Sequence, residues 1–275
     1  MAFFTTSDDR RLYYSDTGSG TPVLCLAGLT RNSRDFSFLT PHISDLRMIT
    51  MDYRGRGHSD YDPDFMNYNV LRESHDAIEL LDHLGLDRVA VLGTSRGGLI
   101  AMALAASHPE RLSAVVLTDV GPVIETSGMA KIMDYVGRPP AAKTYDEAAA
   151  TLQQVMEPQF PGVPLSRWRA QAEVQYEQTE DGLALRYDPA LRKALLDQAA
   201  AGAIPDMWMF FEALRDIPTG VIRGANSDVL GKETLSEMHK RHPGLISVEV
   251  PDRGHVPFLD EPQSLDLIRK VLDAA

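Results

Sequence analysis

A serine framed by two glycines is the clearest candidate for chemistry in this chain, in the pentapeptide Gly93-Thr94-Ser95-Arg96-Gly97. The pentapeptide lies between an apolar, β-branched run and a segment from Gly98 onwards that has the pattern of a helix. A serine in a tight strand-to-helix turn adopts a strained backbone conformation that exposes its hydroxyl, and only small neighbours let the chain turn. The helix that follows directs free N–H groups towards any anion formed beside Ser95. The spacing therefore predicts a nucleophile for acyl transfer.

A serine hydroxyl needs a base to accept its proton and a third group to orient that base. His255 follows the last apolar run and is preceded by a glycine, which distinguishes it from the other histidines. Two acids also follow apolar runs, Asp228 in the loop after Arg223 and Asp119 directly after Thr118. The carboxyl ends of parallel strands face a common crevice, so either acid could reach His255 there.

The elements that must position these residues are strands alternating with helices. This alternation predicts an α/β fold with a doubly wound, mostly parallel sheet. A helix is predicted from Val70 to Leu84, with Gly85 as its C-cap, and it leads into the strand before Ser95. The predicted strands are Val23 to Ala27, Met48 to Asp52, Val89 to Leu92, Ala114 to Thr118, Gly220 to Arg223 and Ile246 to Val250.

The pattern changes after Gly121-Pro122. From there to about Asp216 the chain is rich in Ala, Gln, Glu, Met and aromatic residues, and no convincing strand is predicted. Pro-rich and Gly-rich breaks divide this stretch into several short helices. We therefore expect one catalytic core made of residues 1–121 and 217–275, with a helical insertion at 122–216.

Composition limits the partners and the compartment. A formal net charge of -12 without a basic stripe argues against a nucleic-acid partner. Cys25, the only cysteine, lies in an apolar run and cannot form an intrachain disulfide, which favours a reducing cytoplasm. The first residues resemble neither a secretion signal nor a membrane anchor, so no membrane association is expected.

Four loops together resemble the α/β-hydrolase superfamily. The segment around Ser95 resembles its nucleophile elbow, and Asp52 to Asp60 is similar to the D-x-R-G-x-G-x-S-D segment of its epoxide-hydrolase-like and carbon-carbon hydrolase branches. Gly224 to Asp228 looks like the acid loop, and Gly254-His255 looks like the histidine loop. The resemblance implies a hydrolase that needs no cofactor and carries a helical cap, and 122–216 falls where such caps usually lie.

The resemblance also implies roles for individual residues. The family order of serine, acid and histidine gives Ser95, Asp228 and His255 as the triad, with Asp119 as the alternative acid. The backbone N–H groups of Leu29 and Arg96 are expected to form the oxyanion hole. The chain departs from the family at Ala27-Gly28, where a His-Gly pair is common.

Candidate pocket residues are Arg31, which follows the oxyanion loop, and Met207 and Trp208 in the densest apolar cluster before the return to the core. Either the side chain of Arg31 or that of Arg96, which flanks Ser95, could anchor an acidic substrate. His239 and His242 have no third ligand at zinc-like spacing, so no metal site is expected.

Three functions fit these patterns. Hydrolysis of a small-molecule ester, lactone or related carbonyl compound comes first. A carbon-carbon bond hydrolase of aromatic degradation would use the same triad, and a non-catalytic ligand-binding module is the third alternative. Haloalkane dehalogenases and epoxide hydrolases have an aspartate nucleophile where this chain has Ser95. The sequence leaves the oligomeric state open.

Overall fold

A computed structural model describes residues 2–200 and 207–275 of the chain. The described strands are β1 (Ala2–Thr5), β2 (Arg11–Thr17), β3 (Pro22–Leu26), β4 (Arg47–Met51), β5 (Val89–Thr94), β6 (Leu112–Thr118), β7 (Tyr176–Thr179), β8 (Gly182–Leu185), β9 (Thr219–Gly224) and β10 (Ile246–Val250). The described α-helices are α1 (Val70–His83), α2 (Arg96–Ser107), α3 (Thr126–Tyr135), α4 (Tyr145–Met156), α5 (Leu165–Gln175), α6 (Leu191–Ala200), α7 (Met207–Glu212), α8 (Lys232–Arg241) and α9 (Pro262–Leu272). Short 3-10 helices lie at Ser33–Phe38, Thr40–His42, Phe65–Asn67 and Pro109–Arg111.

The main sheet has eight strands in the order β1-β2-β4-β3-β5-β6-β9-β10. The strands from β4 to β10 in this order pair in parallel, whereas β1 and β2 form an antiparallel hairpin at one edge. All six predicted strands are present within one or two residues of their predicted ends. The predicted α/β fold with a doubly wound, mostly parallel sheet is confirmed.

Helices cover both faces of this sheet. Successive side chains of a strand point to opposite faces, and the central strand β5 is buried along its whole length. Val89 and Val91 of β5 belong to the hydrophobic cluster that includes residues of α1, α2 and α8. Ala90 and Leu92 belong to the cluster on the other face, which includes residues of α9. A sheet buried on both sides in this way is rigid enough to fix the loops at its carboxyl edge.

The predicted helix before β5 is α1, and Gly85 ends it as expected. Gly85 has a φ of 63°, a conformation in which side chains are strained. Its N–H donates to the carbonyl of Asp82 at 3.1 Å, and the N–H of Leu86 donates to Leu81 at 2.9 Å. These are the bonds of a glycine-ended helix.

The inserted stretch differs from the prediction in one element. The antiparallel hairpin β7-β8 lies within it, so the prediction of no strand there is wrong. Three of the four residues of β7 are exposed, so this strand lacks the alternating apolar pattern from which strands are predicted. The two edge strands β1 and β2 were also missed. At the end of the stretch, α7 packs on α2 of the core.

No helix among the described residues is both long and apolar enough to cross a membrane.

Candidate active site

Ser95 lies in a sharp turn between β5 and α2. Its φ of 51° is in the left-handed region, which is strained for a residue with a side chain. The turn is possible because of the flanking glycines: a Cβ on Gly93 would lie 2.4 Å from the carbonyl oxygen of Gly97, and one on Gly97 would lie 2.0 Å from that of Leu26. The helix therefore begins directly against the sheet, with the Ser95 side chain at its N-terminus.

Three side chains from three different loops meet at this point. The Oγ of Ser95 is 2.9 Å from Nε2 of His255, and Nδ1 of His255 is 2.8 Å from Oδ2 of Asp119. The Asp119 side chain is fully buried, whereas that of His255 is 15% exposed. A carboxylate at Nδ1 favours the tautomer that carries its proton there, which leaves Nε2 free to accept the proton of the serine hydroxyl.

The register of the sheet explains why Asp119 occupies this position. Thr94 at the end of β5 pairs with Thr118 at the end of β6, so the next residues, Ser95 and Asp119, lie side by side. The N–H of Gly224 donates to Oδ1 of Asp119 at 2.8 Å, and the hydroxyl of Ser227 donates to Oδ2 at 2.6 Å. These bonds hold the carboxylate against His255 and stabilise its charge.

Asp228 does not contact His255, which corrects the acid predicted from chain order. Its Oδ2 instead accepts a hydrogen bond from Nζ of Lys131 at 2.5 Å. Its backbone carbonyl lies against Gly128, where an added Cβ would be 2.4 Å from the oxygen. Asp228 thus joins the loop after β9 to α3, while Ser227, its neighbour, supports Asp119.

The backbone places two N–H groups beside Ser95. The carbonyl of Gly28 accepts from the N–H of Arg31 at 3.1 Å, and in a trans peptide this fixes the Leu29 N–H in the opposite direction. A Cβ added to Gly28 would lie 3.9 Å from Cβ of Ser95, so this loop runs next to the serine. Arg96 is the first residue of α2, where N–H groups have no intrahelical acceptor. Neither N–H donates to an acceptor among the described residues.

Arg31, a predicted pocket residue, lies in the loop next to Ser95. A Cβ on Gly28 would be 3.2 Å from Cγ of Arg31 and 3.9 Å from Cβ of Ser95. Its Nε donates to both carboxylate oxygens of Asp35, at 2.9 and 2.8 Å. Burial lowers the pKa of Arg31, whereas the charge of Asp35 and its hydrogen bonds raise it. The net shift is upward, so the side chain stays cationic.

Met207 and Trp208, the other predicted pocket residues, are partly buried and lie on the outside of a core cluster. Both pack against the cluster formed with α1, α2 and α8. The Trp208 ring meets Phe211 edge-on with centroids 6.0 Å apart, and the guanidinium of Arg241 lies 4.1 Å above it. The helix that carries these residues, α7, packs against α2.

Two charged residues near the site escaped the sequence analysis. Arg56 and Glu73 are almost fully buried and are linked to the loops of Leu29 and Arg96. Charged residues are almost never fully buried unless they are paired, and the local sequence does not indicate which of them are buried.

Within residues 2–200 and 207–275, no group of three or more His, Cys, Asp or Glu side chains is arranged to hold a metal ion. His239 bonds Ser247 through Nε2 at 2.8 Å instead.

The sequence was compared with known protein families. Residues 21–262 match the family model described as alpha/beta hydrolase fold. The chain belongs to the α/β-hydrolase family. In this α/β-hydrolase, Ser95 lies at the turn from strand β5 into helix α2.

Among relatives of this α/β-hydrolase is the 3-hydroxybutyrate-oligomer hydrolase of Cupriavidus necator, 36% identical over 92% of this chain and 88% of that protein. The 2-(acetamidomethylene)succinate hydrolase of Mesorhizobium japonicum is 27% identical over 94% of this chain and 90% of that protein. The crystal structure of an alpha/beta hydrolase from Novosphingobium aromaticivorans is also similar, with a TM-score of 0.92 and 38% identity over 100% of this chain and 98% of that chain.

Proposed function

We propose that this α/β-hydrolase is a serine hydrolase that cleaves a small-molecule carboxylic ester or lactone through an acyl-enzyme intermediate. The observation that carries the proposal is the contact of Ser95 Oγ with His255 Nε2 and of His255 Nδ1 with Asp119. In this proposal Ser95 is the nucleophile, His255 the general base and acid, and Asp119 the residue that orients His255.

In the first half-reaction, Ser95 Oγ attacks the carbonyl carbon while its proton passes to Nε2 of His255. The carbonyl electron pair moves to oxygen, and the N–H groups of Leu29 and Arg96 stabilise the resulting oxyanion. When the carbonyl re-forms, the bond to the alcohol oxygen breaks and that oxygen takes the proton from His255. Removing one donor to such an oxyanion typically costs about 2.7 to 4 kcal/mol of barrier stabilisation.

In the second half-reaction a water molecule replaces the alcohol. His255 accepts one proton of the water as its oxygen attacks the acyl carbon, and the same two N–H groups stabilise the oxyanion. Collapse breaks the bond to Ser95 Oγ, which takes the proton back from His255. The products are the free acid and the original enzyme.

We further propose that the stretch 122–216 acts as a cap over this crevice, apart from α7, which packs on the core. Its contacts with the core loops support this assignment. The side-chain amide of Asn32 donates to the carbonyl of Val174 at 3.0 Å, and Phe258, three residues after His255, packs on Phe160 and Trp168. A cap in this position excludes water and shapes the acyl pocket.

The relative from Cupriavidus necator supports an ester of a hydroxy acid as the substrate. Such an ester carries a free carboxylate at one end, and Arg31 beside Ser95 is a cation suited to bind it. The same cation fits the carbon-carbon hydrolase alternative, in which the substrate is also an acid. A linear trimer of 3-hydroxybutyrate, p-nitrophenyl butyrate and a vinylogous diketone acid would separate the two functions.

A fluorophosphonate probe tests the proposal directly. We expect stoichiometric labelling of Ser95, located by peptide mass spectrometry, and no labelling or ester turnover in the folded Ser95→Ala variant. A wild-type protein that is folded but neither labelled nor active on any of the three substrates would favour the non-catalytic ligand-binding module instead.

A further inference from the structure

A buried carboxylate on α1 lies between two arginines behind the catalytic serine. Oε2 of Glu73 accepts a hydrogen bond from Nε of Arg96 at 2.5 Å, and Oε1 of Glu73 is 2.9 Å from Nη1 of Arg56. The side chains of Glu73, Arg56 and Arg96 are 0%, 1% and 7% exposed. We call these three residues the buried ion cluster.

Each cation of the buried ion cluster is attached to one of the two loops that hold the oxyanion donors. Nε of Arg56 donates to the backbone carbonyl of Leu29 at 3.1 Å, and its Nη1 donates to that of Arg54 at 2.7 Å. Arg96 supplies the other donor through its own N–H. Glu73 therefore connects the loop after β3 with the first turn of α2 through side chains that are almost fully buried.

The cluster also has an unbalanced charge, with two guanidinium groups for one carboxylate. Nη2 of Arg56 and Nη2 of Arg96 are buried and find no hydrogen-bond acceptor among the described residues. The guanidinium of Arg56 lies 5.6 Å from the ring of Tyr53 and 5.3 Å from that of Tyr68. Among aromatic rings and away from water, such a charge is screened far less than at the surface.

We propose that Arg56, Glu73 and Arg96 are positioning residues of the oxyanion hole: they fix the N–H groups of Leu29 and Arg96 relative to Ser95 and place one uncompensated positive charge behind them. This proposal rests on the proposed serine-hydrolase function. This positive charge stabilises the negative charge that develops on the oxyanion. The cluster therefore stabilises the transition state more than the bound ester.

A cluster that only stabilised the fold would behave differently. Buried ion pairs contribute little net stability compared with apolar residues of similar size, and losing one affects the folded fraction of the protein. A positioning role changes the turnover of each correctly folded active site. Titrating active sites with a fluorophosphonate and dividing the rate by the titrated concentration separates the two effects.

The test uses Arg56→Met and Arg56→Lys, with Arg72→Met as the matched control. Arg72 is also a cation whose ion pairs include a fully buried carboxylate, Asp76, but it lies outside the cluster. For Arg56→Met we expect kcat per titrated site to fall about 10- to 100-fold, which is less than the loss expected when an oxyanion-hole donor is removed. KM should stay within about threefold of wild type. Arg56→Lys keeps the charge and should recover part of this loss, and Arg72→Met should keep wild-type kcat.

If Arg56→Met does not fold, Arg96→Met provides the test instead. It leaves Arg56 paired with Glu73 without excess charge, and residue 96 keeps its backbone N–H as a donor to the oxyanion. A folded Arg56→Met or Arg96→Met with wild-type kcat per site overturns this inference alone, whereas an inactive, unlabelled wild type overturns the proposed function.

Discussion

The carboxylate of Asp119 lies 2.8 Å from the imidazole Nδ1 of His255, although 136 residues separate the two in the chain. The carboxylate that contacts His255 therefore follows β6, the strand next to β5, and β5 leads into Ser95. Asp228 is held by Lys131 instead. This difference gives the first of four predictions.

Asp119→Asn should lower kcat by about 10⁴-fold, because an amide at this position favours the wrong tautomer of His255. The matched control is Asp228→Asn, which removes a carboxylate from a neighbouring loop and should keep kcat within about threefold of wild type. Steady-state kinetics on p-nitrophenyl butyrate measure both. The opposite ranking of the two variants would return the role of triad acid to Asp228.

Arg31→Gln should raise KM about tenfold for an ester with a free carboxylate, which corresponds to about 1.4 kcal/mol of lost binding. KM for the neutral p-nitrophenyl butyrate should not change. Arg34→Gln is the control, because Arg34 lies three residues further along the chain, in the 3-10 helix that follows Arg31, and is exposed. An equal rise in KM for acidic and neutral esters would show that Arg31 does not bind the carboxylate.

Gly97→Ala should destabilise the fold by about 3 kcal/mol, because the new methyl group overpacks a closed backbone contact. That group would lie 2.0 Å from the carbonyl oxygen of Leu26, a backbone atom of the central sheet. Gly244→Ala is the control, since its nearest neighbour would be 3.5 Å away. Urea unfolding followed by circular dichroism measures both. A folded Gly97→Ala of wild-type stability would contradict the close approach of α2 and β3.

Cys25 should make stability fall in alkaline solution. Burial raises the pKa of its thiol to about 12, whereas an unfolded thiol has a pKa of about 8.5. Above that lower pKa the unfolded state loses the proton and the folded state keeps it, so the free energy of unfolding falls by about 1.4 kcal/mol per pH unit.

The Cys25→Ala variant is the reference for this slope. Below the unfolded pKa the two proteins should show parallel pH dependence, offset only by the lost packing. At higher pH the wild type should lose stability more steeply, as measured by urea unfolding at several pH values. Identical slopes in both proteins would mean that the folded thiol ionises as readily as the unfolded one.

The parts of the fold that were predictable are those in which local pattern and burial agree. The runs that became β3, β5 and β6 are mostly apolar, because a central parallel strand is buried on both faces. The exposed strand β7 has no such pattern, since its stability comes from pairing with β8. Strand pairing between distant segments is a tertiary property that periodicity does not encode.

The same limit applies to the site. The glycine frame of Ser95 and the glycine before His255 are local signals, and both residues lie at the predicted place. The choice of acid depends on the register of β5 against β6, which sets Asp119 beside Ser95. The buried partners Arg56 and Glu73 were not predictable, because a charged residue in a loop, like Arg56, or on an amphipathic helix, like Glu73, is normally assigned to the surface.

The bond between Lys131 and Asp228 has a consequence for how this enzyme could diversify. Because the loop after β9 does not donate the acid to His255, its tip is available to fasten the inserted helices to the core. Changes at residue 228 or in α3 then alter how the inserted helices are attached and leave the contacts among Ser95, His255 and Asp119 in place. The attachment of the insertion and the contacts of His255 are thereby separable units on which selection, or an engineer, can act one at a time.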